Sequence, residues 1–245
     1  MTDQAVGRPL AWRWLMPLVW WSLLVAGCLM MDWLEPLLRL IEPDNRQVVY
    51  ARTDLLVLLG RHLLVVGVAA LLAVVIGVGA GIAVTRAWGR DFLPLVSQVA
   101  SLGQTFPPVA VLALAVPVMG FGTLPIIVAL LLYGLLPIVR NTLAGIEGID
   151  PSIKEAARGM GMSAREVLLQ VELPLAAPVI WAGIRTSVTI NIATAALGAT
   201  VGASNLGDPI IAGIVNGNMA YVVQGAVLVA LLALSVDSVF AQLCD

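Results

Sequence analysis

The stretch EAARGMGMSAREVLLQVELP, Glu155 to Pro174, is a charged interval between two apolar runs in a 245-residue chain that is 60% hydrophobic and only 11% charged. Its punctuation is that of folded structure. Asp150 suits an N-cap and Pro151 the first helical position, which predicts a helix through about Arg158. Gly159 and Gly161 then break it. A second helix starts at Ser163, where SARE has the S-x-x-E spacing of a capping box, and runs to about Glu172 before Pro174. Ile153, Ala156, Ala157 and Met160, then Val167, Leu168 and Val171, recur at helical spacing. These helices have a face to bury, yet the segment is too charged to enter lipid. Small residues at Ala156, Ala157, Gly159 and Gly161 leave backbone open to close approach. The reading is a rigid knob docked into another protein.

The rest of the chain is far more apolar. A mean hydropathy of +0.99 places it outside the range of soluble domains, in which about a quarter of residues are charged. Runs long enough to cross a hydrocarbon core fall near Leu15 to Met31, Leu63 to Val84, Val99 to Val118, Leu124 to Val139, Pro178 to Thr200 and Tyr221 to Leu243. The expected fold is therefore an all-α polytopic membrane bundle of about six transmembrane helices. A net charge of −2 gives no reason to expect a nucleic-acid partner. With the N-terminus inside, Arg8, Arg13, Arg86, Arg90, Arg140, Lys154, Arg158 and Arg165 fall on the cytoplasmic side. Arg39, Arg46, Arg52 and Arg61 fall outside, mixed with Asp32, Glu35, Glu42, Asp44 and Asp54. The positive-inside bias thus puts both termini and the 155–174 stretch in the cytoplasm.

Cys28 and Cys244 are too isolated for a disulfide framework or a metal site and read as small apolar residues. VAGC, Val25 to Cys28, resembles a lipoprotein cleavage box, but the run continues through Leu29, Met30 and Met31 instead of turning polar. The first span is expected as a retained helix, with Trp12, Trp14, Trp20, Trp21 and Trp33 tending toward its ends as an aromatic belt. Asp32 to Arg61 is one long polar outer segment broken by Pro36 and Pro43. The expected division is residues 1–61, a helix with its outer loop, and 62–245, a transmembrane domain carrying a loop at 145–175.

Within the spans, Gly77 and Gly81 stand four apart on one helical face and predict close helix packing. GVGAGI follows no strand and completes no dinucleotide fingerprint. Pro107 and Pro108 remove consecutive donors and disfavour helix at Phe106, so a helix there kinks or opens. Open backbone at membrane depth is tolerated where protein or a water-filled cavity satisfies it, and Gln98, Gln104 and Thr105 stand ready to do so. The region reads equally as a pathway lining or an ordinary packed kink. The fifth span is polar for its depth, with Arg185, Thr186, Ser187, Thr189, Asn191, Thr194 and Thr200. Hydroxyls there often bond only to the preceding turn, whereas a buried Asn points to a polar cavity or a helix interface. Asp208 and Pro209 begin a run too short to cross, an outer half-helix or gate element.

The charged stretch resembles the signature loop of the membrane subunits of binding-protein-dependent ABC importers. That pattern is E-A-A, three residues, Gly, nine residues, an aliphatic residue, any residue, then Leu-Pro. It reads here as Glu155, Ala156, Ala157, Gly161, Val171, Leu173 and Pro174, with Val where Ile is more frequent. From about Leu63 to Gly213 the chain is similar to the permeases of the osmoprotectant group, which import glycine betaine, choline, carnitine or related compounds. Within the group it looks closest to the low-affinity betaine systems of Gram-negative bacteria.

The resemblance implies a type I importer permease fold in a bacterial inner membrane and alternating access driven by a separate ATP-binding subunit. It also implies a second permease copy or paralogue and a periplasmic binding protein that docks on outer loops such as Gly120 to Thr123 and Ser204 to Asn218. No G-x-x-x-x-G-K-[ST] is present, so ATP and Mg are expected in the partner and no cofactor or metal on this chain. Coupling to the ATPase falls to Glu155, Ala156, Ala157, Gly159, Gly161, Ser163, Leu173 and Pro174. Gln104, Thr105, Phe106, Pro107, Asn191 and Thr194 are expected to line the path. Phe106 and Tyr133 are the only aromatic faces offered there to a quaternary ammonium, which suggests a passage rather than a tight site. Another small solute, such as an amino acid or a thiol-betaine, is the alternative cargo. An intramembrane enzyme is disfavoured: the sole histidine, His62, sits beside Arg61 at the outer edge of the second span, with no nucleophile to serve.

Overall fold

The computed structural model describes residues 14–244; Arg8, Trp12 and Arg13, which enter the charge and belt readings, lie outside them, as does the side chain of Cys244. Among the described residues all regular structure is helical. The helices are α1 (Leu15–Leu29), α2 (Glu35–Ile41), α3 (Leu55–Val84), α4 (Leu93–Thr105), α5 (Pro108–Met119), α6 (Thr123–Glu147), α7 (Pro151–Gly159), α8 (Ala164–Val201), α9 (Asp208–Asn216) and α10 (Met219–Cys244). Of these, α3, α6, α8 and α10 are long and apolar enough to cross a membrane. Two bent pairs bring the number to six. The first is Leu15–Leu29 with Met31–Ile41, at 83°; the second is Arg90–Thr105 with Pro108–Met119, at 98°.

Packing divides the chain into two units. One joins the chain up to Gly60 with Asn205 onward, and the other is Arg61–Ser204. In the first unit α10 packs on α1 and α9, an association that a boundary at residue 61 does not anticipate. Its loop between α2 and α3 is held by side chains rather than by a strand. Buried Gln224 of α10 accepts from the Tyr50 amide at 3.0 Å and donates to the Val48 carbonyl at 2.6 Å, replacing the partners a β-neighbour would offer. Asn218 donates to the Gln47 carbonyl, and Tyr50 stacks edge-on to Tyr221 with centroids 5.5 Å apart. Pro36 opens α2 near its first position instead of breaking the Asp32 to Arg61 segment, because its missing N–H is not needed there.

In the second unit α6 is the central post. Gly145 and Gly134 face α8, and Gly183 of α8 faces the Pro137 carbonyl, so the two backbones approach closely along the pair. The expected role of Gly77 and Gly81 is realised against the same post. A Cβ at Gly77 would lie 2.8 Å from Ile138 Cγ2, and one at Gly81 2.7 Å from Thr142 Cγ2. Two glycines four apart thus receive two β-branched residues four apart. Gly81→Leu should destabilise the protein by about 1–3 kcal/mol through overpacking. A thermal midpoint unchanged from wild type in detergent would show that α3 does not seat there.

Two expected boundaries move. α3 starts at Leu55, eight residues before Leu63, because the Asp54 carboxylate accepts from the Leu56 amide at 2.7 Å and caps the helix. His62 therefore lies inside the helix rather than at its edge. It is fully buried, and its Nε2 donates to the Ile192 carbonyl at 3.0 Å. The second correction concerns the helix after Ser163. It does not stop before Pro174 but runs on as α8 for 38 residues. Ordinary helical geometry would aim the Gln170 carbonyl at Pro174, which has no N–H. Val167–Glu172 adopts π geometry just before it, widening the turn so that the proline is carried without a break.

Candidate coupling segment and translocation path

The 145–175 segment folds as its caps dictate. The Asp150 carboxylate accepts from the Ser152 amide at 2.8 Å, and that bond together with the Ser152 hydroxyl holds its pKa below the usual carboxylate range. The cap is thus charged at neutral pH. Ser163 and Glu166 complete a reciprocal capping box, with the Ser163 amide donating to Glu166 at 2.7 Å. Between the two helices Gly161 sits at φ +87°, the left-handed region that favours glycine, and its amide donates to the Arg158 carbonyl.

The faces divide cleanly. Ala157 and Val167 are buried toward the bundle, whereas Ile153, Glu155, Ala156, Gly159, Gly161 and Ser163 are exposed and Met160 is 77% exposed. A Cβ added at Gly159 or Gly161 would meet nothing within 4 Å. A glycine-turned tip with an apolar face of Ile153, Ala156 and Met160 is thus left exposed. Leu173 is half-buried and Pro174 exposed, at the root of α8. The root is anchored by Arg86, which reaches from the end of α3 to donate to buried Glu172 at 2.6 Å.

The Phe106–Pro107 break is a sharp opening, not a shallow kink. Gly103 allows α4 to touch α6, since a Cβ there would sit 2.1 Å from the Leu132 carbonyl oxygen. Two further contacts answer orphaned backbone. Pro137, inside α6, has no N–H for the Tyr133 carbonyl four residues earlier, and the Gln104 side chain donates to that carbonyl at 3.0 Å. The Tyr133 hydroxyl in turn donates to the Phe106 carbonyl, which the break leaves without a helical partner. Gln104, Thr105, Phe106 and Pro107 are all exposed, and the Thr105 hydroxyl turns back to Ser101.

On α8 the hydroxyls of Thr186, Thr189 and Thr194 bond the carbonyls four residues back. Asn191 and Ser187 do not. Both are fully buried against Gly134, and the Ser187 hydroxyl and both polar atoms of the Asn191 amide make no hydrogen bond. Thr194 is half-buried and Asn191 sealed in helix packing, whereas residues 104–107 are exposed; Gln104 and Asn191 meet α6 at the neighbouring residues Tyr133 and Gly134.

Residues 73–243 match the family described as the binding-protein-dependent transport system inner membrane component. The chain belongs to that family. Among curated relatives, this permease is 44% identical over 190 residues to the osmoprotectant import permease protein OsmY of Salmonella typhimurium, covering 78% of the chain and 80% of the relative. It is 38% identical over 200 residues to the glycine betaine/carnitine/choline transport system permease protein OpuCB of Bacillus subtilis, covering 80% and 91%. Among solved structures it resembles two inward-facing forms of the MetNI methionine ABC transporter. Their TM-scores are 0.66 and 0.68 at 22% identity, covering 75% and 78% of this chain and 91% and 94% of theirs. The permease thus has the all-α type I importer fold expected from its signature loop, in a multi-pass inner-membrane component.

Sequence reading missed two features of the permease. The Arg86–Glu172 pair joins residues 86 apart, and no local pattern marks them. The Gln104–Tyr133–Phe106 clamp left a trace: a mid-helix proline four residues after Tyr133 announces an orphaned carbonyl.

Proposed function

We propose that the permease carries an osmoprotectant, glycine betaine or a related quaternary ammonium compound, across the cytoplasmic membrane by alternating access. The observation that carries the reading is the exposed tip from Ile153 to Gly161, which presents Ile153, Ala156 and Met160 on one face and is turned on a left-handed glycine, rising from a capped and salt-bridged base. Such a tip fits a cleft in a separate ATP-binding subunit, which hydrolyses ATP with its Mg while this chain binds no cofactor. Glu155, Ala156, Gly159, Gly161 and Ser163 form the docked surface, Ala157, expected there too, is packed beneath it and supports it from the bundle side, and Leu173 and Pro174 carry its motion into α8. Both termini lie in the cytoplasm, as the distribution of basic residues argues. A periplasmic binding protein delivers cargo, and a second permease copy or paralogue completes the pore.

The relatives named for osmoprotectant, betaine, carnitine and choline transport support the cargo class. Gln104 to Pro107 with Asn191 and Thr194 line the path, Asn191 entering it when the α6–α8 packing opens. An amide buried without partners disfavours the packed state by about 1–3 kcal/mol and so favours that opening. Uptake of labelled glycine betaine by proteoliposomes holding permease, ATPase and binding protein tests this. Asn191→Leu and Phe106→Ala should each lower uptake several-fold at constant insertion. Unchanged uptake in both variants sinks the proposed lining.

A further inference from the structure

A cavity of about 710 Å³ opens where the end of α3, the end of α6 and α7 meet. Four basic residues line it, Arg86, Arg90, Lys154 and Arg158, against two acidic ones, Glu147 and Glu172. Arg86 and Glu172 neutralise each other at 2.6 Å, and Lys154 gives one of its protons to the Ile146 carbonyl at 2.8 Å. Arg90 and Arg158 are exposed and form no ion pair with a described residue. The walls therefore present two guanidinium groups and the remaining ammonium protons to whatever enters, with only Glu147 opposing them.

We propose that this cavity binds the phosphate of an anionic membrane phospholipid. Lipid is favoured over a soluble anion by the rim. Trp88, 75% exposed, borders the cavity, and Phe92, 57% exposed, follows Arg90 two residues on, both just beyond the 30-residue apolar α3. Exposed aromatic residues at the end of a spanning helix mark headgroup depth, and a basic pocket between helices at that depth suits an acidic headgroup. Lipid is favoured over the ATPase by the helical phase of α7. Lys154 and Arg158, four apart, share a face turned away from Ile153, Ala156 and Met160, so cavity and exposed tip use different sides of one helix. A lipid held here would touch the segment proposed to transmit motion to α8, tying its position to the charge of the surrounding membrane. The binding itself does not depend on which cargo is carried.

The test is binding to the full-length permease, purified with its ATP-binding subunit, of phosphatidylglycerol and phosphatidylcholine with matched chains, read by native mass spectrometry and by thermal midpoint. Phosphatidylglycerol should be retained and raise the midpoint, and phosphatidylcholine should do neither. Arg90→Gln with Arg158→Gln should weaken phosphatidylglycerol binding on the order of twentyfold, about fivefold for each basic residue removed. The paired Arg90→Lys and Arg158→Lys variant should keep most of it, and Arg39→Gln on the outer loop should change nothing. Equal retention of the two lipids, or equal binding by wild type and the glutamine pair, overturns the proposal. Displacement of the lipid by millimolar inorganic phosphate assigns the site to a soluble anion and overturns it too. Loss of the lipid on assembly with the ATP-binding subunit assigns the cavity to that protein instead.

Discussion

Gly161→Val will reduce ATP-driven uptake to background while the permease remains inserted and folded. Gly161 holds φ at +87°, where a β-branched residue is strained by roughly 1–2 kcal/mol. That strain is small beside the 5–15 kcal/mol of an ordinary folded domain, so expression and insertion should survive. Within this chain the added side chain meets nothing, since no atom lies within 4 Å of a Cβ built there. Whatever it obstructs belongs to the partner. A second substitution separates the two effects: Gly161→Asn tolerates the left-handed conformation but still fills the space. Loss of uptake in both variants assigns the defect to docking, and loss in Val alone assigns it to the turn. Proteoliposome uptake, co-purification of the ATP-binding subunit and substrate-stimulated hydrolysis are the measurements. Survival of co-purification and stimulated hydrolysis in Gly161→Val refutes the coupling role.

Removing one partner of the Arg86–Glu172 pair should give the largest stability effect in the molecule. Glu172 is 3% exposed and the pair is 2.6 Å long, so Arg86→Ala strands a carboxylate away from water and costs about 3–5 kcal/mol. Replacing both, Arg86→Met with Glu172→Leu, removes the stranded charge and should recover most of that loss. Transport should not recover in the double variant. The pair ties the end of α3 to the π segment at the root of α8, and an apolar contact holds that link with less directional restraint. Thermal midpoints of the two single variants and the double in detergent check the first claim. A double variant no more stable than Arg86→Ala would show that the pair does not act as a buried ion pair.

The signature loop was legible because its determinants are local. Asp150, Pro151, Gly161, Ser163 and Glu166 cap and turn helices through contacts within five residues, and each is found in its expected role. The packing glycines were legible for a related reason, since Gly77 and Gly81 share a face by helical period alone. Helix ends near proline were read less well. Pro174 looked like a stop, but the π turn of Val167–Glu172 let α8 continue past it. The candidate path was legible only as a set of polar residues at depth, because which of them face a cavity is set by helix rotation.

The sequence by itself determined the class of the molecule: an apolar, all-helical membrane chain interrupted by a capped signature loop, features written in composition and short-range periodicity. Tertiary structure decided how the pieces act on one another. It sealed Asn191 and Ser187 against Gly134, set Gln104 to answer the carbonyl orphaned by Pro137, and joined Arg86 to Glu172. Each of these links residues more than twenty apart, where the partner of a buried polar group depends on which helices touch and at what rotation. A single helix does not carry that information.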